Sequence, residues 1–255
     1  MVHEIRLQMP RIGTRKLFHI LHEKLKPLKV GRDRLFAILK ANHLLISPKK
    51  SYHITTNSHH RFRKHKNIIE NLTPKRPEEV WVSDITYVGN RKNPMYLALV
   101  TDAYSKKILG YDVSNSLSTS GSIKALKMAV KYRKYKNEEL IHHSDRGFQY
   151  CSNDYQEALN QNGIKCSMTE SYDPYANAVA ERINGILKQE FIGDNNNLVL
   201  PVMKALISDS IKIYNHIRPH YSCYMKTPEM MHQQREVQIR TYKNKNPVSK
   251  TNWIL

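Results

Sequence analysis

The sequence predicts an α/β protein, a mixed five-stranded sheet flanked by helices and preceded by a small basic helical domain. Three observations lead there. Between residues 80 and 168, short apolar runs of strand length are bounded by turn residues, while helical spacing of apolar residues appears between and after them. Hydrophobic residues make up 40% of the 255, enough for a packed core in a domain of ordinary size plus an accessory one. The excess positive charge is concentrated at the N-terminal end.

Two short helices come first. Arg15 to Leu25 places Leu17, Ile20, Leu21 and Leu25 on one face, and Pro27 ends it; Gly31 to Ala41 repeats the pattern with Leu35, Ile38 and Leu39. With Arg32 and Arg34 opening the second helix, the pair fits a helix-turn-helix that meets DNA, and it fits a generic helical hairpin equally well. From Ser47 to Arg76 the chain is basic, rich in histidine and without periodicity, as a linker running along DNA would be. The pair His59-His60 lacks other ligands at metal spacing. Pro74 and Pro77 then mark a boundary.

Beyond it, Val80-Trp81-Val82 with Ile85 and Tyr87 reads as a strand. Met95 to Val100, nearly all apolar, reads as a strand buried on both faces. Lys107 to Val113 is the third, after a tight turn at Tyr104-Ser105-Lys106. Ser118 to Tyr132 is an amphipathic helix, with Ile123, Leu126, Met128 and Ala129 inward. Glu139 to His142 is a fourth strand, Asn153 to Asn160 a helix, Ile164 to Met168 a fifth strand, and Ala176 to Phe191 and Leu198 to Ile217 the last helices. The order β-β-β-α-β-α-β-α-α is that of the ribonuclease-H type of α/β fold. The expected plan is a helix-turn-helix-like basic domain over 1–46, a basic linker over 47–76, the α/β domain over 77–234 and a basic tail over 235–255.

Charge narrows the partners. The net charge is +19, and residues 1–76 hold eighteen Lys and Arg against four Asp and Glu. Such a surface suits a polyanion, with binding that weakens as salt rises because phosphate contacts release counterions. No apolar run reaches membrane-spanning length, and Met1 to Arg6 lacks the design of a secretory signal, so a cytoplasmic location is expected. Cys151, Cys166 and Cys223 are widely spaced and form no CxxC pair, which argues for reduced thiols over zinc or disulfides.

Three acids stand out. Asp84 lies within the first strand, where a carboxylate is costly to bury unless a cation or a donor pairs with it. Asp145 follows the fourth strand in His142-His143-Ser144-Asp145-Arg146-Gly147. Glu181 lies near the start of a helix in Asn177-Ala178-Val179-Ala180-Glu181. If the first and fourth strands are neighbours, the aspartates converge and the helix brings the glutamate over them. Three hard oxygen ligands suit Mg²⁺ or Mn²⁺, and two such ions serve in-line phosphoryl displacement. With 22 acidic residues in the chain, a chance triplet of caps and surface ion pairs is the competing reading.

The motifs go further. Trp81-x-x-Asp84-Ile85-Thr86-Tyr87, His143-Ser144-Asp145-Arg146-Gly147-x-Gln149-Tyr150 and Asn177-Ala178-x-x-Glu181 resemble the three blocks of DDE transposases with a retroviral-integrase-like core. Thirty-five residues separate Asp145 from Glu181, and the tail block Tyr214-Asn215-x-x-Arg218-Pro219-His220 with Thr227-Pro228 also matches. The chain is most similar to the downstream-frame protein of insertion sequences that encode their transposase in two overlapping frames. The resemblance covers about residues 8 to 232. It implies Asp84, Asp145 and Glu181 as ligands of two Mg²⁺ or Mn²⁺ ions that cleave and join DNA strands. It also implies Lys188, two helical turns after Glu181, as a contact to DNA, with Asn177 supporting the site. Arg146 is a further candidate for DNA contact; Arg218 and His220 either touch DNA or fix the last helix. Double-stranded DNA, further copies of the chain and an upstream-frame protein are the implied partners. Two departures stand: Arg182-Ile183-Asn184 replaces a small residue and aromatics, and no leucine heptad precedes the basic region. A nuclease that does not join strands, and a non-catalytic DNA-binding regulator, are the alternatives.

Overall fold

A computed structural model describes residues 1–47, 64–70, 72–90, 92–169, 178–193, 195 and 197–239. Asn177, most of the linker and most of the basic tail lie outside the described residues. The N-terminal helices are α1 (Val2–Gln8), α2 (Thr14–Leu25) and α3 (Arg32–Ala41). Next come β1 (Val80–Tyr87), β2 (Tyr96–Asp102), β3 (Ile108–Ser114), α4 (Thr119–Lys131), β4 (Ile141–Ser144), α5 (Phe148–Cys151), α6 (Asn153–Gln161) and β5 (Lys165–Met168). The chain closes with α7 (Ala178–Ile186), continued by a wider π turn over Leu187–Ile192, then α8 (Leu200–His216) and α9 (Pro228–His232).

The five strands lie in the order β3-β2-β1-β4-β5, with β1, β2 and β3 antiparallel and β4 and β5 parallel to β1. The mixed sheet expected from the sequence is therefore present. Period-two alternation sorts its side chains into two cores. Leu97, Leu99, Ile108 and Val113 face a core shared with α2, α3, α7 and α8. Trp81, Ala98, Val100 and Leu109 face the other, with Leu126 of α4, Tyr150 of α5 and Leu159 of α6. Helix α4 approaches β3 so closely that a Cβ on Gly110 would lie 2.0 Å from the Ala125 carbonyl oxygen. Only a residue without a side chain fits there.

Leu17, Leu21, Leu25, Leu35 and Leu39 turn inward as their spacing predicts, and they join the same apolar core as the sheet. Ile38 does not; it is 44% exposed. The reason is geometric, since the face of α3 that meets α2 is narrow and is filled by Leu35 and Leu39. The fourth strand also differs from its expected span. It runs Ile141–Ser144 because the ladder pairs Val80 with Ile141 and Ser83 with Ser144. The polar run His142-His143-Ser144 is thus the buried strand itself and not its exit. Its polarity is met inside: His142 Nε2 lies 2.7 Å from Ser83 Oγ and 2.9 Å from the Tyr155 hydroxyl, and His143 Nδ1 lies 2.9 Å from Ser167 Oγ. Helices α1, α5 and α9 are each too short for a periodic signal.

Candidate active site

The register of β1 and β4 brings the two aspartates together. Ser83 pairs with Ser144 in a parallel ladder, so the next residue on each strand is Asp84 and Asp145. Asp84 is half-buried, and its Oδ1 accepts the Ile85 N–H at 2.9 Å. Asp145 Oδ1 accepts the Gly147 N–H at 3.0 Å in a tight turn. A Cβ at Gly147 would lie 2.9 Å from Asp145 Oδ1, so any side chain there would displace that carboxylate. Glu181 sits in the first turn of α7 with its side chain exposed.

Electrostatics ties the three acids into one site. Desolvation and the neighbouring Asp145 push the Asp84 carboxyl up to about 7; Asn184 and the Ile85 amide work the other way, and Glu181 adds to the rise. Glu181 is also raised, by desolvation and then by Asp145. Two acids pushed up together mark a place where negative charge is crowded and undercompensated. Among the described residues, no three His, Cys, Asp or Glu side chains stand close enough to hold an ion as they are. The carboxylates share a field without forming a closed cage.

Lys188 is a cation in the field of Asp84. Its Nζ lies 3.5 Å from Thr86 Oγ1, and its pKa is lowered by desolvation, against which the Asp84 charge works. Behind the strands the packing is neutral. Burial pushes His142 down to about 3, and the buried Tyr150 hydroxyl, desolvated and in the field of Tyr155, Asp84 and Asp145, is held well above its ordinary value. Neither competes with the acids for charge.

Of the residues singled out in the sequence, Asp84, Asp145, Glu181 and Lys188 are linked through the charge interactions described above, and Arg146 is half-buried beside Asp145. Arg32 and Arg34 are exposed on α3, with Arg32 Nε 2.8 Å from Asp33. Arg218 and His220 are interior. The Arg218 guanidinium is 1% exposed and donates two bonds to Glu190 at 2.8 and 2.7 Å, so a DNA contact there would require this packing to open. Asn184 is the site residue that sequence reasoning missed. Its Nδ2 donates to Asp84 Oδ2 at 2.8 Å, and its buried Oδ1 finds no partner among the described residues. Its signal in the sequence is its position, one helical turn after Glu181 on the same face.

A five-stranded sheet in this order, with one carboxylate within β1, one just past β4 and one on α7, defines a ribonuclease-H-like core of the integrase type. Models of the integrase core domain match residues 74–174 and 162–228. The uncharacterized 31 kDa protein of insertion element IS600 from Shigella sonnei is 35% identical over 213 residues, 82% of this chain and 76% of that protein. The transposase for IS629 from Shigella sonnei is 32% identical over 71% of this chain and 60% of its own length. Transposase InsF of IS3A from Escherichia coli K12 is 34% identical over 60% of this chain and 53% of its own length. The chain thus spans little more than half of these two transposases. Among solved structures, a simian T-cell lymphotropic virus intasome with a regulatory subunit of PP2A matches 91% of this chain and 79% of its own, at a TM-score of 0.55 and 22% identity. The HTLV-2 integrase catalytic core in complex with magnesium covers 63% of this chain at a TM-score of 0.50 and 21% identity, with 99% of its own length matched. The chain belongs to the insertion-sequence transposases with an integrase-like core.

Proposed function

We propose that the chain cleaves DNA strands at the ends of an insertion sequence and joins them to target DNA, using divalent metal held by Asp84, Asp145 and Glu181. The observation that carries this reading is the parallel register that sets Asp84 and Asp145 at one level on neighbouring strands, where desolvation and that neighbour push the Asp84 carboxyl up to about 7. A structural carboxylate in that position would be paired with Lys or Arg. Among the described residues the hydrogen bonds to Asp84 come from one amide and one backbone N–H, with the Lys188 ammonium acting through its charge alone, and hard oxygen donors around crowded charge suit Mg²⁺ or Mn²⁺. The donor set fits the ion.

When bound, such ions activate the attacking hydroxyl and stabilise the leaving oxygen of an in-line displacement at phosphorus. The protein's part is placement. Asn184 fixes one oxygen of Asp84, the Gly147 amide fixes one oxygen of Asp145, and the backbone of the paired strands holds both aspartates at one level. Lys188 offers a positive charge on the same side of the helix as Glu181, where a DNA phosphate approaching the acids would meet it. Water serves as nucleophile for nicking and a DNA 3′-hydroxyl for joining, so no covalent protein intermediate is needed. The exposed arginines of α3 and the excess charge of the N-terminal region extend the DNA surface. Further copies of the chain, and an upstream-frame protein, are the proposed partners in pairing two ends. Among the described residues no helix is long and apolar enough to cross a membrane.

The test uses purified protein, labelled DNA carrying the element's ends, and Mg²⁺ or Mn²⁺, beside Glu181→Gln. Joined products that vanish in the variant are expected. Cleavage without joining would point to a nuclease or to a chain that needs its upstream-frame partner, and binding without chemistry in either protein would point to a regulator.

A further inference from the structure

We infer that Glu190 is a positioning residue, through which the N-terminal helices hold the helix that carries Glu181 and Lys188. This rests on the reading of those two residues given above. Glu190 lies in the widened π turn, two residues past Lys188. Its carboxylate is gripped from two directions. Arg218, beyond the end of α8, donates to both oxygens at 2.8 and 2.7 Å, and Lys16 of α2 reaches Oε1 at 3.1 Å. Its main-chain carbonyl accepts a third link, the Arg11 N–H at 3.2 Å. The Arg218 guanidinium also lies over the Tyr214 ring, 5.6 Å from its centroid. Around this polar joint the contact is apolar: Met9, Ile12, Leu17 and Leu21 share one core with Ile183, Ile186, Leu187 and Phe191.

The joint sits where it can act on the site. In a regular α-helix, position seven after Glu181 falls almost directly above it. A π turn winds less per residue, so it swings the following side chains around the axis. Lys188 lies within that turn, and the turn closes with the Gly193 N–H on the Lys188 carbonyl at 2.9 Å. The direction in which the Lys188 ammonium points toward Thr86 and Asp84 therefore depends on how the turn is held, and Glu190 is its anchor. Charge makes the anchor stiff. Burial opposes ionisation of Glu190, yet Arg218 and then Lys16 hold its pKa below the ordinary value. A largely buried carboxylate bound to two cations does not rearrange cheaply. Residues before position 26 thus brace a catalytic helix more than 150 positions away.

The experiment uses the full chain with Lys16→Met, Lys16→Arg and Glu190→Gln. Lys16 makes one bond to Glu190 where Arg218 makes two, so its variants should disturb the fold less than Glu190→Gln does. Amide exchange is measured first. Lys16→Met should speed exchange over residues 184–193 by about tenfold while the strands stay unchanged, and Lys16→Arg should stay near wild type. Single-turnover joining at saturating DNA should then fall by about tenfold in Lys16→Met, with DNA affinity unchanged, and recover in Lys16→Arg. Wild-type exchange in Lys16→Met overturns the inference. So does faster exchange with an unchanged joining rate, which would leave the joint a mere rivet, or a rate loss that follows DNA affinity or melting. If the wild type joins no DNA, the proposed function falls, and the exchange result still decides whether the N-terminal helices hold this helix.

Discussion

Divalent metal should stabilise the protein, and the stabilisation should depend on pH through Asp84. An ion present at a hundred times its dissociation constant adds about 2.7 kcal/mol. For a chain of this size each kcal/mol moves the melting temperature by about 2–4 °C, so a shift of about 5–10 °C is expected near pH 8. In the metal-free protein the Asp84 pKa stands near 7 against an ordinary 3.8. Its ionisation therefore costs stability, a cost absent below pH 4 or so and complete above about 7. Near pH 5, about two units below the folded value, the metal must first displace a proton, at about 1.4 kcal/mol per unit. That penalty is close to the whole gain, so the thermal shift should collapse. Asp84→Asn should melt no lower than wild type in chelator near pH 8 and should show no metal shift at either pH. Scanning calorimetry with Mg²⁺ and with chelator at both pH values decides the matter. An equal shift at the two pH values, or one that survives in Asp84→Asn, would refute the reasoning.

Three further outcomes follow from the geometry. Gly147→Ala places a Cβ 2.9 Å from Asp145 Oδ1; joining should fall by about tenfold or more while circular dichroism stays native, since the backbone can shift locally but the carboxylate cannot stay put. Gly110→Ala pushes a Cβ to 2.0 Å from the Ala125 carbonyl oxygen; an overpacking cost of about 1–3 kcal/mol should appear in urea titration. The buried contacts of His232 with Glu78 and Asp102, at 3.4 and 3.8 Å, define a pH window. Burial pulls His232 down, but its bonds to Asp102 and Glu78 prevail and raise it, while the two acids, despite burial, are lowered by His232 and by backbone or serine donors. The histidine's contribution is complete below about 6.5 and fades as pH rises through its folded value; the acids' contribution is present above about 4.5 and fades on acidification. Wild type should therefore exceed His232→Gln most clearly between these limits in urea titrations, and a difference flat from acid to alkaline pH would contradict it.

Much of this arrangement could be read from the sequence because it is written in local periodicity. Leu97 and Leu99 against Ala98 and Val100 declare a strand buried on both faces, and Leu17, Leu21 and Leu25 declare a helix stripe. The pairing of β1 with β4, on which the site depends, is present. Other features are set by tertiary partners that local pattern does not encode. His143 and Ser144 look like the exit from the fourth strand until the ladder to β1 and the Ser167 hydroxyl against His143 place them inside it. Arg218 looks like a DNA contact in a basic chain until Glu190 is found 28 positions away, bound to it at both oxygens. Asn184 is a polar side chain buried one turn after Glu181, and the bond it donates to Asp84 on β1 accounts for it. Short helices such as α5 and α9 carry too few residues for a period to emerge.

The most direct test of the metal site is crystallographic. Crystals soaked in Mn²⁺ and measured at the manganese absorption edge should show anomalous peaks against the Asp84 and Asp145 carboxylates, with Glu181 closing over them, and none in Asp84→Asn. Manganese bound elsewhere, or not at all, in protein that still joins DNA in Mn²⁺ would contradict the assignment.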